Sequence, residues 1–139
     1  MDNITRVGSH EIRYEPETGF IVLVQNGWMD KDEAVAVVAA VSAYHGGRAD
    51  PYFVLVDHRK TTGASPEARK AIGTGTNTQD AFVALVSASL ATRAIGNLVL
   101  KAMSIASSKL TGVVVAEEEE ARVWLTERRR AYLARTSKR

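Results

Sequence analysis

The segment Tyr52-Phe53-Val54-Leu55-Val56 constrains this chain more than any other stretch. Five consecutive apolar residues, mostly β-branched or aromatic, leave no polar face. Such a run is stable as a strand only if both of its sides are covered, the pattern of a central strand in a parallel sheet. The rest of the chain must therefore supply neighbouring strands and helices to cover them. At 139 residues there is room for one domain, which buries roughly two-thirds of the surface its unfolded form exposes. With 45% hydrophobic and 24% charged residues, that core needs no external staple. The absence of cysteine excludes a disulfide framework and thiolate metal sites, and it fits a reducing cytoplasm.

The flanking segments supply what the central strand requires. His10 to Glu15 alternates, Pro16-Glu17-Thr18-Gly19 is a turn, and Phe20 to Gln25 is more apolar, which predicts an antiparallel hairpin. Asp30 with Glu33 forms a capping-box variant ahead of a helix whose Ala34, Val37, Val38, Val41 and Tyr44 share one face, and Gly46-Gly47 stops it. After Asp57 the segment His58 to Ala64 is expected to be a loop. Ser65 as N-cap, Pro66 in the first helical position and Glu67 in the first turn then start a short helix. Gly73 to Asp80 is expected as a second loop and Ala81 to Val86 as a second buried strand. Leu90, Ala94, Leu98, Val99, Ala102, Ile105 and Ala106 form a broad stripe, predicting the most buried helix of the molecule. Thr111 to Val115 is the last strand, and an acidic first turn opens a final helix with Ala121, Trp124 and Leu125 inward. The order is ββαβαβαβα, an α/β domain with a single mixed five-stranded sheet, the hairpin antiparallel and the later strands parallel through right-handed crossovers.

Charge and motifs narrow the function. The net charge is +2, yet the last eighteen residues hold seven cations against Glu127 alone, and removing that excess of six leaves the body at −4. The basic end is read as a solvated helix terminus, with no specific nucleic-acid binding. No run of about 18 apolar residues occurs, and the N-terminus lacks a basic flank followed by an apolar core, so no membrane span or export signal is expected and the cytoplasm is the expected location. Gly73 to Asn77 resembles a phosphate loop in composition. It follows a helix and precedes a strand, however, the reverse of the order that aims backbone amides at phosphate. His10, His45 and His58 lack ligand spacing and are read as exposed surface histidines, so neither a metal nor any other cofactor is expected. Asp57, His58 and Ser65 do not form a hydrolytic set, because strand neighbours point to opposite faces and no nucleophile elbow is present. Trp28-Met29, just ahead of the Asp30 cap, is read as a hydrophobic staple.

In open α/β sheets the carboxyl ends of the strands and the helix starts that follow them form the natural site. Asp57, Arg59, Thr61, Thr62, Ser65 and Arg93 are the candidates there. Arg59 and Arg93 offer forked donors to an anion, Asp57 can tie down its loop, and Ser65 caps a helix where added negative charge is favourable.

With "VLVDHRKTTGASPEARK", "TRAIGNLVLKAM" and "EEEARVWLTERR" in this order, the chain resembles the SpoIIAA-like, or STAS-type, domains over roughly Ile12 to Leu125, and in particular their stand-alone bacterial branch. The resemblance implies an N-terminal extension over residues 1–9, a STAS-like domain over 10–127 and a basic helix end or tail over 128–139. It further implies a non-enzymatic regulatory module that binds a partner kinase or switch protein, as a monomer or homodimer, with Ser65 matching the phosphoacceptor position. Gly63-Ala64-Ser65-Pro66 stands where the antagonist branch has Asp-Ser-Ser-Gly, so the position carries over and the kinase recognition does not. The alternative is a carrier or sensor that holds a small apolar or anionic ligand, lipid-like or nucleotide, between the sheet and its helices.

Overall fold

A computed structural model describes residues 3–75, 80–87, 89–106 and 109–136. In chain order the elements are β1 Ile4–Val7, β2 His10–Glu15, β3 Phe20–Met29, α1 Lys31–His45, β4 Tyr52–Ala64, α2 Pro66–Gly75, β5 Ala81–Val86, α3 Leu90–Ala106, β6 Leu110–Val115 and α4 Glu118–Thr136. The strands lie side by side in sequence order, with β1–β2 and β2–β3 antiparallel and the remaining pairs parallel.

The sheet is mixed, as expected, but has six strands rather than five. The additional strand, β1, lies within the segment read as an extension. Its four residues pair with β2 through Val7 and His10, and the hydroxyl of Thr5 lies 2.8 Å from that of Tyr44 on α1. So short a strand has too few positions to show alternation in the sequence.

Because each parallel strand is added on the same side of the last, α1, α2 and α3 all cover one face. Ala34, Val37, Ala68 and the partly buried Ile72 and Ile95 pack there on Ile21, Leu23, Val54, Val56, Val83 and Leu85. The opposite face is covered by α4, whose Ala121 and Leu125 pack on Phe20, Val22, Phe53, Leu55, Ala84 and Val86. The central run Tyr52–Val56 therefore alternates between two apolar layers, which is why neither of its faces is polar.

Three further expectations are corrected. First, α3 is not the most buried helix: Leu90 is 84% exposed and Ile105 is 79% exposed. It lies at the β6 margin, where the sheet ends, so only part of its broad stripe has a partner. A Cβ at Gly112 of β6 would lie 2.6 Å from Leu100 Cδ2, so a side chain there would make the end of Leu100 shift. The side chains of Val99, Ala102 and Ala106 lie outside the described residues. Second, α2 continues to Gly75, through the first part of the segment read as a loop, while residues 76–79 lie outside the described residues. Third, His10, His45 and His58 are all buried. His45 Nε2 lies 2.7 Å from Asp50 O and its ring stacks on Tyr52, and His10 Nδ1 accepts from the Asn26 amide, so both are core histidines tied to backbone. The capping box at Asp30 forms as its sequence predicts, with Glu33 N–H donating to Asp30 Oδ1 and Asp30 N–H to Glu33 Oε1.

Candidate functional site

The segment His58 to Ala64, expected as a loop, is strand. It stays extended because β3 also runs on past Val24, and Asn26, Gly27, Trp28 and Met29 pair with Lys60, Thr61, Gly63 and Ala64. The pairing with β5 ends at Asp57 and Val86, so beyond that point β3 and β4 continue as a two-stranded parallel ribbon. Backbone pairing holds a sequence whose side chains alone give no strand signal. Inside the ribbon, the Gln25 amide donates to Thr61 Oγ1 at 2.9 Å and to the Gly63 carbonyl, and the Gly63 amide donates to Thr61 Oγ1. Thr61 is buried and holds the ribbon together, whereas Thr62 is exposed.

The candidates fall into two groups. Asp57 sits beside the end of β5, where Arg93 Nε donates to the Ser87 carbonyl at 3.3 Å. Ser65 is eight residues further on, just past the end of β4, about 26 Å away at strand rise. The structure thus brings Asp57, Arg59 and the start of α3 to one end of β5 and carries Thr62 and Ser65 to the tip of the ribbon.

Asp57 and Arg59 form a closed unit. Arg59 donates from its backbone amide and Nε to Asp57 Oδ1, at 3.0 and 2.9 Å, and from Nη2 to Asp57 Oδ2 at 2.7 Å. Burial raises the Asp57 pKa, but the Arg59 hydrogen bonds and charge outweigh it and leave the carboxyl below its ordinary value. Arg59 also reaches Glu118 Oε1 at 3.5 Å, and Glu118 Oε2 accepts from Arg122 Nε. Arg122 in turn grips Glu15 through two parallel bonds of 2.8 and 2.7 Å. This ladder ties β2, β4 and the first turns of α4 together, and the Arg122 hydrogen bonds hold the Glu15 carboxyl below its usual range.

At the ribbon tip, Ser65 N–H donates to Met29 O, and Ser65 Oγ accepts from the Ala68 amide at 3.1 Å, so the serine caps α2. Arg69 Nη1 returns to Ala64 O at 2.7 Å. Met29 is fully buried, as a staple requires, while Trp28 points the other way and is 54% exposed. Gly63, at φ +119°, lies beneath the Trp28 indole, and a Cβ there would be 3.1 Å from Cζ3. Trp28 was legible as an aromatic beside a cap. Its exposure follows from the ribbon, which the sequence does not signal.

His58, one residue from Asp57, faces the other side of the sheet. It is 1% exposed, lines a cavity of about 70 Å³ between the sheet and α1–α2, and its Nδ1 has no hydrogen-bond partner. Burial lowers its pKa to about 4, with the charge of Asp57 opposing only in part. No cluster of three metal-ligating side chains occurs among the described residues, and none of their helices is long and apolar enough to cross a membrane.

No protein-family model matches the sequence, and neither does any curated protein. A solved structure does match in fold: an uncharacterized protein of the DUF3478 family with a SpoIIAA-like fold, from Shewanella loihica PV-4. It is 11% identical, the match covers 90% of this chain and 95% of that one, and the TM-score is 0.59. The hairpin, the parallel strands with helices on both faces, and this likeness along almost the whole length together assign the chain a SpoIIAA-like fold.

Proposed function

We propose that this chain is a non-enzymatic, STAS-like regulatory module that docks a protein partner through the tip of the β3–β4 ribbon, with Trp28 as the apolar anchor and Thr62 and Ser65 beside it. The observation that carries this reading is the half-exposed Trp28 indole seated on Gly63, next to the serine-capped start of α2. Exposed, rigid tryptophans are the residue type most enriched among the anchors of protein interfaces. Asp57 and Arg59 play no direct part in this docking, because each already satisfies the other.

Phosphorylation of Ser65 is the proposed regulation. A phosphate there would add about two negative charges at a helix N-terminus, which the helix tolerates, while changing the surface a partner meets. The partner is a kinase or switch protein, as the resemblance implies.

The test is affinity capture from the native cell with the full chain, compared by quantitative mass spectrometry with Trp28→Ala, Ser65→Asp and Ser65→Ala. The expected result is a protein set lost with Trp28→Ala and altered with Ser65→Asp but not with Ser65→Ala. Capture that survives Trp28→Ala sinks the docking surface. Equal capture by the two serine variants sinks the switch.

A further inference from the structure

The β6 edge of the sheet is open, and the ladder that joins β6 to β5 fixes what this edge presents. Ala81 N–H donates to Lys109 O and Ser87 N–H to Val115 O, with unbroken register between them. Backbone groups two residues apart point to the same side of a strand. Lys109, Thr111, Val113 and Val115 therefore face β5, while the N–H and C=O of Leu110, Gly112 and Val114 face outward and have no partner among the described residues.

Natural proteins blunt such edges with charge, proline, bulges or short length. The opposite edge, β1, does so with four residues and an exposed Arg6. In contrast, β6 runs Leu110-Thr111-Gly112-Val113-Val114-Val115 with no charge, proline or bulge, and Thr111 and Gly112 are exposed.

The occupant follows from symmetry and charge. The outward groups are spaced evenly about Gly112, so an antiparallel copy with its two-fold axis at Gly112 sets Leu110 against Val114 of the second copy and Gly112 against its own counterpart. Each facing pair then exchanges both of its hydrogen bonds. The ends of the strand carry opposite charge, Lys109 ahead of it and Glu117, Glu119 and Glu120 behind it. Antiparallel pairing places Lys109 of each copy beside the acidic end of the other, whereas parallel pairing would set like charges together. The two-fold contact also closes on itself, while pairing β6 with β1 of another copy would propagate without end.

We propose that two copies of this chain join through β6, antiparallel about Gly112, into one continuous sheet. The seam shares no residue with the ribbon tip, so its failure leaves the docking surface standing.

The test is sedimentation of the full chain from about 5 to about 500 μM, with amide hydrogen exchange followed by NMR over the same range. The expected result is a mass of two chains at the upper end. The amides of Leu110, Gly112 and Val114 should exchange at least about tenfold more slowly in the dimer, while those of Thr111, Val113 and Val115, bonded to β5, are protected throughout. Val114→Pro removes an outward donor and leaves the β5 ladder intact, and Thr111→Lys sets two cations astride the axis. Each should weaken the dimer by at least about tenfold, and Thr111→Lys carries the check alone if Val114→Pro does not fold. Lys109→Glu should weaken it too, and adding Glu117→Lys should restore it. A single-chain mass throughout the range, fast exchange of the outward amides in a dimer, or a dimer unchanged in the folded edge variants would overturn the proposal. So would a dimer lost only with Ile105→Lys, which would place the contact on the exposed stripe of α3.

Discussion

Asp57 and His58 are adjacent in sequence and meet opposite sides of one sheet, and the two sides solve the problem of polarity differently. On the α4 side, Asp57 enters a ladder of ion pairs running through Arg59, Glu118 and Arg122 to Glu15, with Leu125 and Ala121 packed below it. Every charge there has a partner, and a single helix is clamped to the sheet. On the α1–α3 side three helices cover the sheet, yet they leave a cavity and a buried His58 Nδ1 without a hydrogen-bond partner. The contrast shows which face of the sheet is tightly filled and which is not. Tight packing with paired charge belongs to the α4 face, and the face under α1 and α2 is the more loosely filled.

The comparison can be broken most directly by truncation. Leu125→Ala is expected to cost about 3–4 kcal/mol, because a fully buried leucine on α4, which covers its face of the sheet, leaves a void that little can collapse into. Ile72→Ala, half-buried and beside existing space, is expected to cost about 1–2 kcal/mol. Urea denaturation of both variants checks this, and equal losses would mean that the two faces are packed alike.

The next effect is pH. The unfolded imidazole of His58 takes a proton near 6.5 and the folded one only near 4, so the unfolded state binds more protons between these values. Stability is therefore flat above about pH 6.5 and falls by up to about 3 kcal/mol as pH drops toward 4. The slope should largely vanish in His58→Phe, and a parent protein with no slope in that window would place His58 in contact with solvent.

The smallest effect is on the ladder. Arg122→Ala should cost about 1–2 kcal/mol at low salt, less than a fully buried pair because the guanidinium is partly exposed. The folded Glu15 pKa is depressed, so its contribution is present above its ordinary value of 4.5 and is lost as pH falls below it. A thermal-melt series against salt and pH should show the parent losing this increment below about pH 4.5 while Arg122→Ala does not. Identical acid profiles would mean that the ladder stabilises nothing.

Much of the fold was legible because its signals are local. The Asp30–Glu33 capping box, the Ser65-Pro66 helix start and the alternation of β2 each follow from residues within a turn of one another. Tyr52–Val56 disclosed its own two-sided burial. What stayed hidden depends on distant partners. The polar segment from His58 to Thr62 is strand only because the tail of β3 is there to pair with it, and Ile4–Val7 is strand only beside β2. The stripe on α3 has the pattern of a buried helix, but burial also needs a sheet wide enough to lie under, and β6 is the last strand. The candidate site was legible in part. Ser65 as a helix cap was visible, whereas the separation of Ser65 from Asp57, the exposure of Trp28 and the burial of His58 were not.

The amino-acid sequence alone determined the alternation of strands and helices, the central two-faced strand and the helix starts, because hydrophobic period and capping act between near neighbours. Only the tertiary structure decided which apolar stripe found a partner, how far β4 ran, and which side of the sheet received a charge and which a neutral ring. Those outcomes depend on which strands lie beside one another and on where the sheet ends, and neither is a property of any short segment.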